Sequence, residues 1–385
     1  MSDFYIKYIK YKNKYTNLKN KIGIEQQQIG IEQQQIGIEN KTGILVTHNA
    51  RLRCFLDDFF PDVVNKLLEH ANNNLDKNLK IKEIRFKNSC VLELSVTNPT
   101  QNTKSNNQDY KDQQIIVEIK MCYEGNVEKR KNGKYFVVSN ENEFVLDLIN
   151  STSIENYKSN LEKQINGTNI LKDSNGHIDI IFPHIKINLY NMMNLFEKFP
   201  KFPALPKPNT KYRLFIIRHG ESEHNVSKIN IKMDTGLTNS GKTETKIAGK
   251  KLIEYLIYNK ISVNNYFSSH LKRTRETLSI IDLEFRENKY FEQSSTPLPN
   301  EIIVLPCSHE LSYTHGNCDL SNAYKPIPPE NQKICSTNNY SCKHNDLCCN
   351  INGLHINWNF YNDFYKNNYH CRNTNIISEI IKVYN

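Results

Sequence analysis

The alternation of short apolar runs with helix-length amphipathic stretches between residues 212 and 310 constrains the fold of this chain more than any other feature. "YRLFIIRHG", "VNNYFSSH" and "EIIVLPCSHE" read as buried strands, and "NSGKTETKIAGKKLIEYLIYNK" and "KRTRETLSIIDLEF" as the helices between them. Parallel strands need crossovers of about this length, and helices on both faces are what bury such strands. The predicted class is therefore α/β: a three-layer α/β/α arrangement around a mixed, mostly parallel sheet.

The same grammar occurs once more near the front. Strand "GILVTH", helix "ARLRCFLDDFFPDVVNKLLEHA" and strand "CVLELSV" occupy residues 43–97. Residues 98–211 are more polar, with strand-like runs "QIIVEIKMCYEG", "KYFVVS" and "HIDIIFPHIKINLY". The Pro-rich "KFPKFPALPKPNTKYR" closes that stretch as a linker. Four segments result: 1–42, 43–97, 98–211 and 212–385, the last carrying an irregular Asn/Cys-rich insertion at 311–371 and ending in a helix, "NTNIISEIIKVYN".

The first segment is of a different kind. Tyr5, Tyr8, Tyr11, Tyr15 and Leu18 recur at three and four, one apolar stripe on a lysine-rich helix. This start resembles a Tyr/Lys leader found on proteins of large DNA viruses. The heptapeptide repeat "IGIEQQQIGIEQQQIGIEN" sets its isoleucines two apart, about 200° around a helix, so no coiled-coil seam forms and a low-complexity tether is expected.

Composition narrows the function classes. The net charge of +9 is spread over dispersed lysines with no recognisable nucleic-acid module, so nucleic acid is not an expected partner, whereas phosphate-bearing ligands suit the charge. Neither a signal-like apolar region nor a run of about 18 apolar residues is present, which predicts an intracellular, cytoplasmic protein with no transmembrane segment. For a chain of viral origin that compartment is the host cytoplasm. The ten cysteines then read as thiols, seven of them between Cys307 and Cys371. Cys335, Cys342, His344, Cys348 and Cys349 supply enough ligands for zinc, but their spacing matches no common finger, and thiols, zinc and disulfides stay open there.

The chemistry-bearing string is "RHGESEHN", Arg218 to Asn225, at the end of an apolar strand. It resembles the R-H-G-E-x-x-x-N signature of the histidine phosphatase superfamily, also called phosphoglycerate mutase-like. "DTGLTNSGKTETKIAGKKL" resembles that family's D-x-x-L-T-x-x-G-x-x-Q-A segment, with Glu244 and Thr245 in place of Q-A. "FSSHLKRTRETL" resembles its S-S-x-L-x-R-A-x-x-T-A segment, and "IIVLPCSHEL" places Glu310 where the family holds its acid.

The resemblance implies phosphoryl transfer without metal or cofactor. His219 is then the nucleophile, Arg218 and Arg273 are the phosphate clamp, Glu310 is the proton donor and Asn225 a hydrogen-bonding assistant. These residue types suit the chemistry. Guanidinium forks match phosphoryl oxygens, and an imidazole with an ordinary pKa of about 6.5 is nucleophilic near neutrality.

The family also needs a second histidine, at the end of a late strand that leads into a helix. None of the histidines after Glu310 ends an apolar strand. "GILVTHNARLRCFL" does offer one, in His48, and "FKNSCVLELSV", with Asn88 at its turn, resembles the strand that follows in the family. The chain thus reads as circularly permuted, with the family's last third at the front. Hydrolysis of a small-molecule or protein phosphomonoester is the leading expectation. A phosphoglycerate mutase-type isomerase and a non-catalytic phosphate-binding pseudoenzyme are the alternatives, and oligomeric state is left open.

Overall fold

The computed structural model describes residues 39–74, 81–98, 115–126, 136–139, 144–167, 171–172, 178–197, 209–226, 235–292, 297–305, 308, 350–360, 380 and 383–384. The leader, most of the repeat, the cysteine and histidine cluster of the insertion, and Glu310 lie outside these residues.

The chain opens with β1 (Glu39–Thr47), α1 (Asn49–Phe59), α2 (Val63–Asn73), β2 (Ile84–Arg85) and β3 (Val91–Asn98). β4 (Ile116–Tyr123), β5 (Phe136–Ser139), β6 (Val145–Leu148), α3 (Ile154–Asn166), β7 (Leu171–Lys172), β8 (Ile178–Ile181), β9 (His184–Asn188) and α4 (Leu189–Leu195) follow. The second half contains β10 (Thr210–Arg218), α5 (Glu223–Val226), α6 (Asn239–Tyr258), β11 (Asn265–Ser268), α7 (Lys272–Arg286), α8 (Lys289–Glu292), β12 (Glu301–Val304), β13 (Asn350–Ile351) and β14 (Leu354–Asn357).

Among the described residues ten strands form one mixed sheet, in the order β13-β14-β12-β11-β1-β10-β3-β4-β9-β6. β1 lies between β10 and β11 and is parallel to both, with Thr47 opposite Arg218 and Val46 opposite Ser268. β12 and β14 continue the parallel part, while β3, β4 and β9 run on antiparallel from β10.

Side chains of the central strands alternate between two cores, as the pleat requires. Ile44, Val46, Phe215 and Ile217 pack with α6 and α7 on one face. Leu45, Leu214 and Ile216 pack with α1 to α4 on the other. The three-layer α/β/α architecture expected from the alternation is what forms. Beyond α6 the first face becomes polar: Glu93 is buried against Arg213 at 2.7 Å and receives the Tyr255 hydroxyl. Hence β4 alternates in burial instead of being apolar throughout.

Several details differ from the sequence reading, among them that the insertion read as irregular over 311–371 supplies β13 and β14 to the large sheet. The first strand starts at Glu39, not Gly43, because the polar residues Glu39–Thr42 ladder onto Thr210–Arg213. The long helix expected from Ala50 breaks at Pro61, where Asp62 adopts φ 62 and a second helix starts. "HIDIIFPHIKINLY" splits at Pro183 into β8 and β9, which belong to different sheets. β8 joins a four-stranded sheet, β2-β5-β8-β7. The 98–211 stretch holds not only extra strands but also α3 and α4.

The exposed sheet edge at β6 is blocked by a side chain. Gln164 of α3 accepts from Asp147 N at 3.0 Å and donates to Asp147 O at 3.1 Å, which satisfies groups that would otherwise recruit another strand.

Candidate active site

Parallel strands bring their carboxyl ends to one edge, where sites of open α/β sheets form. Here β1, β10 and β11 deliver His48, Arg218–His219 and Ser269 to that edge, 170 or more residues apart in sequence for the first pair. His219 N donates to Thr47 O at 3.1 Å, and Ser269 N donates to Val46 O at 3.2 Å, so the ladders run into the site itself.

The His48 and His219 rings stand edge to face with centroids 5.1 Å apart. Both are buried, at 0% and 3% exposure, as are Arg218 and Arg273 at 4% and 2%. His219 Nδ1 lies 2.7 Å from Gly220 O, which can only accept, so Nδ1 carries the proton. Nε2 therefore keeps its lone pair, and Arg273 Nε donates to it at 3.3 Å. That nitrogen is the one whose lone pair could attack an electrophile.

α7 starts beside this edge, and its first turn supplies Arg273. Thr277, one turn on, accepts from Gly220 N at 3.1 Å and donates to Arg273 O at 2.8 Å, tying the His219 loop to the helix that carries Arg273. Gly220 has room only for hydrogen there: a Cβ would come 2.5 Å from Thr245 Oγ1 and 2.6 Å from Gly241 O. Glu276 of the same helix accepts from Leu237 N at 2.7 Å and so fixes the loop that precedes α6.

Arg218 donates through Nη1 to the Phe86 carbonyl. Its backbone is gripped by the turn before β3: Ser89, with φ 57, donates from N to Arg218 O at 3.1 Å. His48 Nε2 lies 3.0 Å from Ser269 Oγ, with both residues fully buried. Asn225 is exposed, and its Oδ1 accepts from Ser222 N at 3.0 Å and Ser222 Oγ at 2.8 Å. Its amide nitrogen is the end able to donate to an anion. Glu244, standing where the family resemblance has glutamine, has its carboxyl pushed up by burial, with the charge of Arg218 acting the other way.

The structure thus brings together His219, Arg273, Arg218 and His48 from the sequence-based set. It adds Ser269, Thr277 and the Phe86 carbonyl. Ser269 and Thr277 stand in the quoted "FSSHLKRTRETL", at the family's own Ser and Thr positions; the Phe86 carbonyl leaves no trace in sequence, since any residue has one. Among the described residues no group of three metal-binding side chains occurs, and no helix is long and apolar enough to cross a membrane.

Residues 214–292 match the profile of the "Histidine phosphatase superfamily (branch 1)". Over 139 residues the chain is 32% identical to a broad-specificity phosphatase of Saccharomyces cerevisiae, covering 36% of this chain and 49% of the relative. It is 30% identical over 95 residues to phosphoglycerate mutase 3 of the same yeast, covering 24% of this chain and 31% of the relative. The chain thus spans about half and about a third of the lengths of these relatives. No solved structure matches significantly. The "RHG" strand and the second arginine both fall in the matched segment, so over residues 214–292 the chain carries the pattern of the histidine phosphatase superfamily.

Proposed function

We propose that the protein hydrolyses phosphomonoesters through a phosphohistidine on His219. The observation that carries this reading is the pairing at His219: Nδ1 faces the Gly220 carbonyl while Nε2 faces Arg273. A phosphoryl oxygen would take over the Arg273 donor and bring phosphorus up to the Nε2 lone pair. In the first step the Nε2–P bond forms, the P–O ester bond breaks and the leaving alkoxide takes a proton from Glu310. In the second, water attacks phosphorus, gives its proton to the Glu310 carboxylate and breaks the P–N bond, releasing inorganic phosphate. Arg218, Arg273 and His48 spread the charge of the transferring group, and Asn225 assists from the rim.

Glu310 enters this reading from sequence. In its support, Ser308, two residues earlier, accepts from Thr47 Oγ1 at 2.9 Å, directly beside His48. The yeast relative named as a phosphatase supports hydrolysis; the one named as a mutase supports the isomerase, which would return the phosphoryl group to a second oxygen of the substrate.

We further read the domain as circularly permuted, with 43–97 as its displaced final part and 98–211 as the connection. In support, the Tyr384 hydroxyl lies against Gly43, where a Cβ would come 2.6 Å from it, so Tyr384 packs beside the middle of the His48 strand. Tyr384 also meets Tyr212 at a tilt, with ring centroids 5.7 Å apart, and Phe267 edge on. Steady-state release of phosphate from a panel of phosphomonoesters tests the function. Release abolished in His219→Ala supports the reading, and release that persists in that variant rejects it.

A further inference from the structure

Asn49, the residue after His48, is buried at 4% exposure and is not explained by helix capping alone. Its side chain reaches across to the turn before β3, where Oδ1 accepts from Phe86 N at 2.9 Å. Phe86 is fully buried and packs on Phe182 at 5.7 Å between ring centroids. Its N–H has no access to water and needs a protein acceptor. The carbonyl of the same residue receives Arg218 Nη1.

A relay results: Asn49 side chain, Phe86 backbone, Arg218 guanidinium. We propose that Asn49 is a positioning residue for the phosphate clamp, acting on Arg218 through Phe86. This inference rests on the phosphatase reading above.

The chemistry of the relay favours anion binding. A carbonyl acceptor orients the guanidinium at Nη1 without itself neutralising the charge, as a carboxylate in that place would. Fixing matters because a long, rotamer-rich side chain otherwise loses its freedom at the moment of binding. The turn itself is gripped from the opposite side as well. Gly125, with φ 88, lets Asn126 N reach Asn88 O at 3.4 Å, and a Cβ at Gly125 would fall 2.4 Å from that oxygen. The Asn49 contact also links the two distant segments of the site, 48–49 and 218–219, through a third.

The experiment measures inorganic phosphate affinity by calorimetry, together with kcat and KM, for the full chain, Asn49→Ala and Asn49→Asp. Asn72→Ala serves as control, because Asn72 makes the same kind of paired backbone contact, with Ile81 at 2.8 Å in both directions, away from the site. Asn49→Ala is expected to weaken phosphate binding and raise KM about tenfold with kcat changed about twofold at most, the size of one lost buried hydrogen bond. Asn49→Asp keeps the acceptor and is expected to recover part of the loss, the added charge beside the phosphate site holding the recovery below the parent. Asn72→Ala is expected to lower Tm with phosphate affinity unchanged. Phosphate affinity and KM within twofold of the parent in folded Asn49→Ala overturn the inference and leave the function standing. A parent chain that neither binds phosphate nor releases it from esters overturns both.

Discussion

Replacing Ser269 with alanine isolates the contribution of the front strand to the chemistry. The Ser269 hydroxyl lies 3.0 Å from His48 Nε2, and neither residue is exposed, so water cannot replace the lost partner. Leaving a buried imidazole nitrogen unsatisfied costs about 1–3 kcal/mol. If about 1.4 kcal/mol of that is felt when His48 meets the transferring phosphoryl group, kcat/KM falls about tenfold. His48→Ala removes the imidazole itself and is expected to cost about a hundredfold or more. The informative comparison is the double-mutant cycle. In a His48→Ala background, Ser269→Ala is expected to change kcat/KM by less than about twofold, because the serine hydroxyl then keeps only its long contact from Leu271 N at 3.5 Å. Steady-state kinetics on a generic aryl phosphate, with Tm measured in parallel, reads all four proteins. An Ser269→Ala loss that is equally large without His48 would refute the reasoning, since the serine would then act on substrate independently of the histidine.

Further outcomes follow from the packing and the charges. In Gly241→Ala the new methyl would sit 2.0 Å from Glu221 O, so α6 must move off the nucleophile's loop; a loss of about 1–3 kcal/mol in thermal unfolding is expected, together with reduced turnover. Glu118 is held down to about 2 chiefly by its contact with His184 Nε2 at 3.4 Å, reinforced by Lys186 against the opposing effect of burial. A depressed carboxylate stabilises the fold above its unfolded pKa, near the ordinary value of 4.5, and that stabilisation is lost as pH falls through about 2. The denaturant midpoint of the parent is thus expected to fall more steeply over this window than that of Glu118→Gln. Finally, a chain with residue 385 linked to residue 40 and reopened within 200–208 is expected to fold and keep its activity, since Tyr384 already packs at Gly43. An unfolded or inactive product would count against the permuted reading.

Much of this was legible in sequence because strand ends and periodicity are local signals. "LFIIRHG" and "ILVTH" each announce an apolar strand ending in histidine, and the sheet places them side by side as β10 and β1. What was not legible depended on single residues that override a pattern. Pro61 interrupts an otherwise continuous amphipathic run, and Pro183 redirects a continuous β-rich run into a second sheet. α3 carried a signal in the Ser153 cap and the Tyr157, Leu161 and Ile165 stripe, but its polar surroundings masked it. The polar start of β1 is a strand only because Thr210–Arg213 lie alongside, a tertiary cause that no window of sequence contains. The Phe86 contact with Arg218 is of the same kind, since a backbone carbonyl has no residue identity.

The most direct measurement is rapid-quench trapping of acid-labile phosphoprotein from a labelled phosphomonoester, comparing the parent chain with His219→Ala and His48→Ala. Label on the parent, none on His219→Ala and strongly reduced labelling on His48→Ala are expected if His219 Nε2 takes the phosphoryl group in a pocket completed by β1. Label that persists in His219→Ala, or a folded parent that acquires none while still releasing phosphate, would contradict a phosphohistidine at this position.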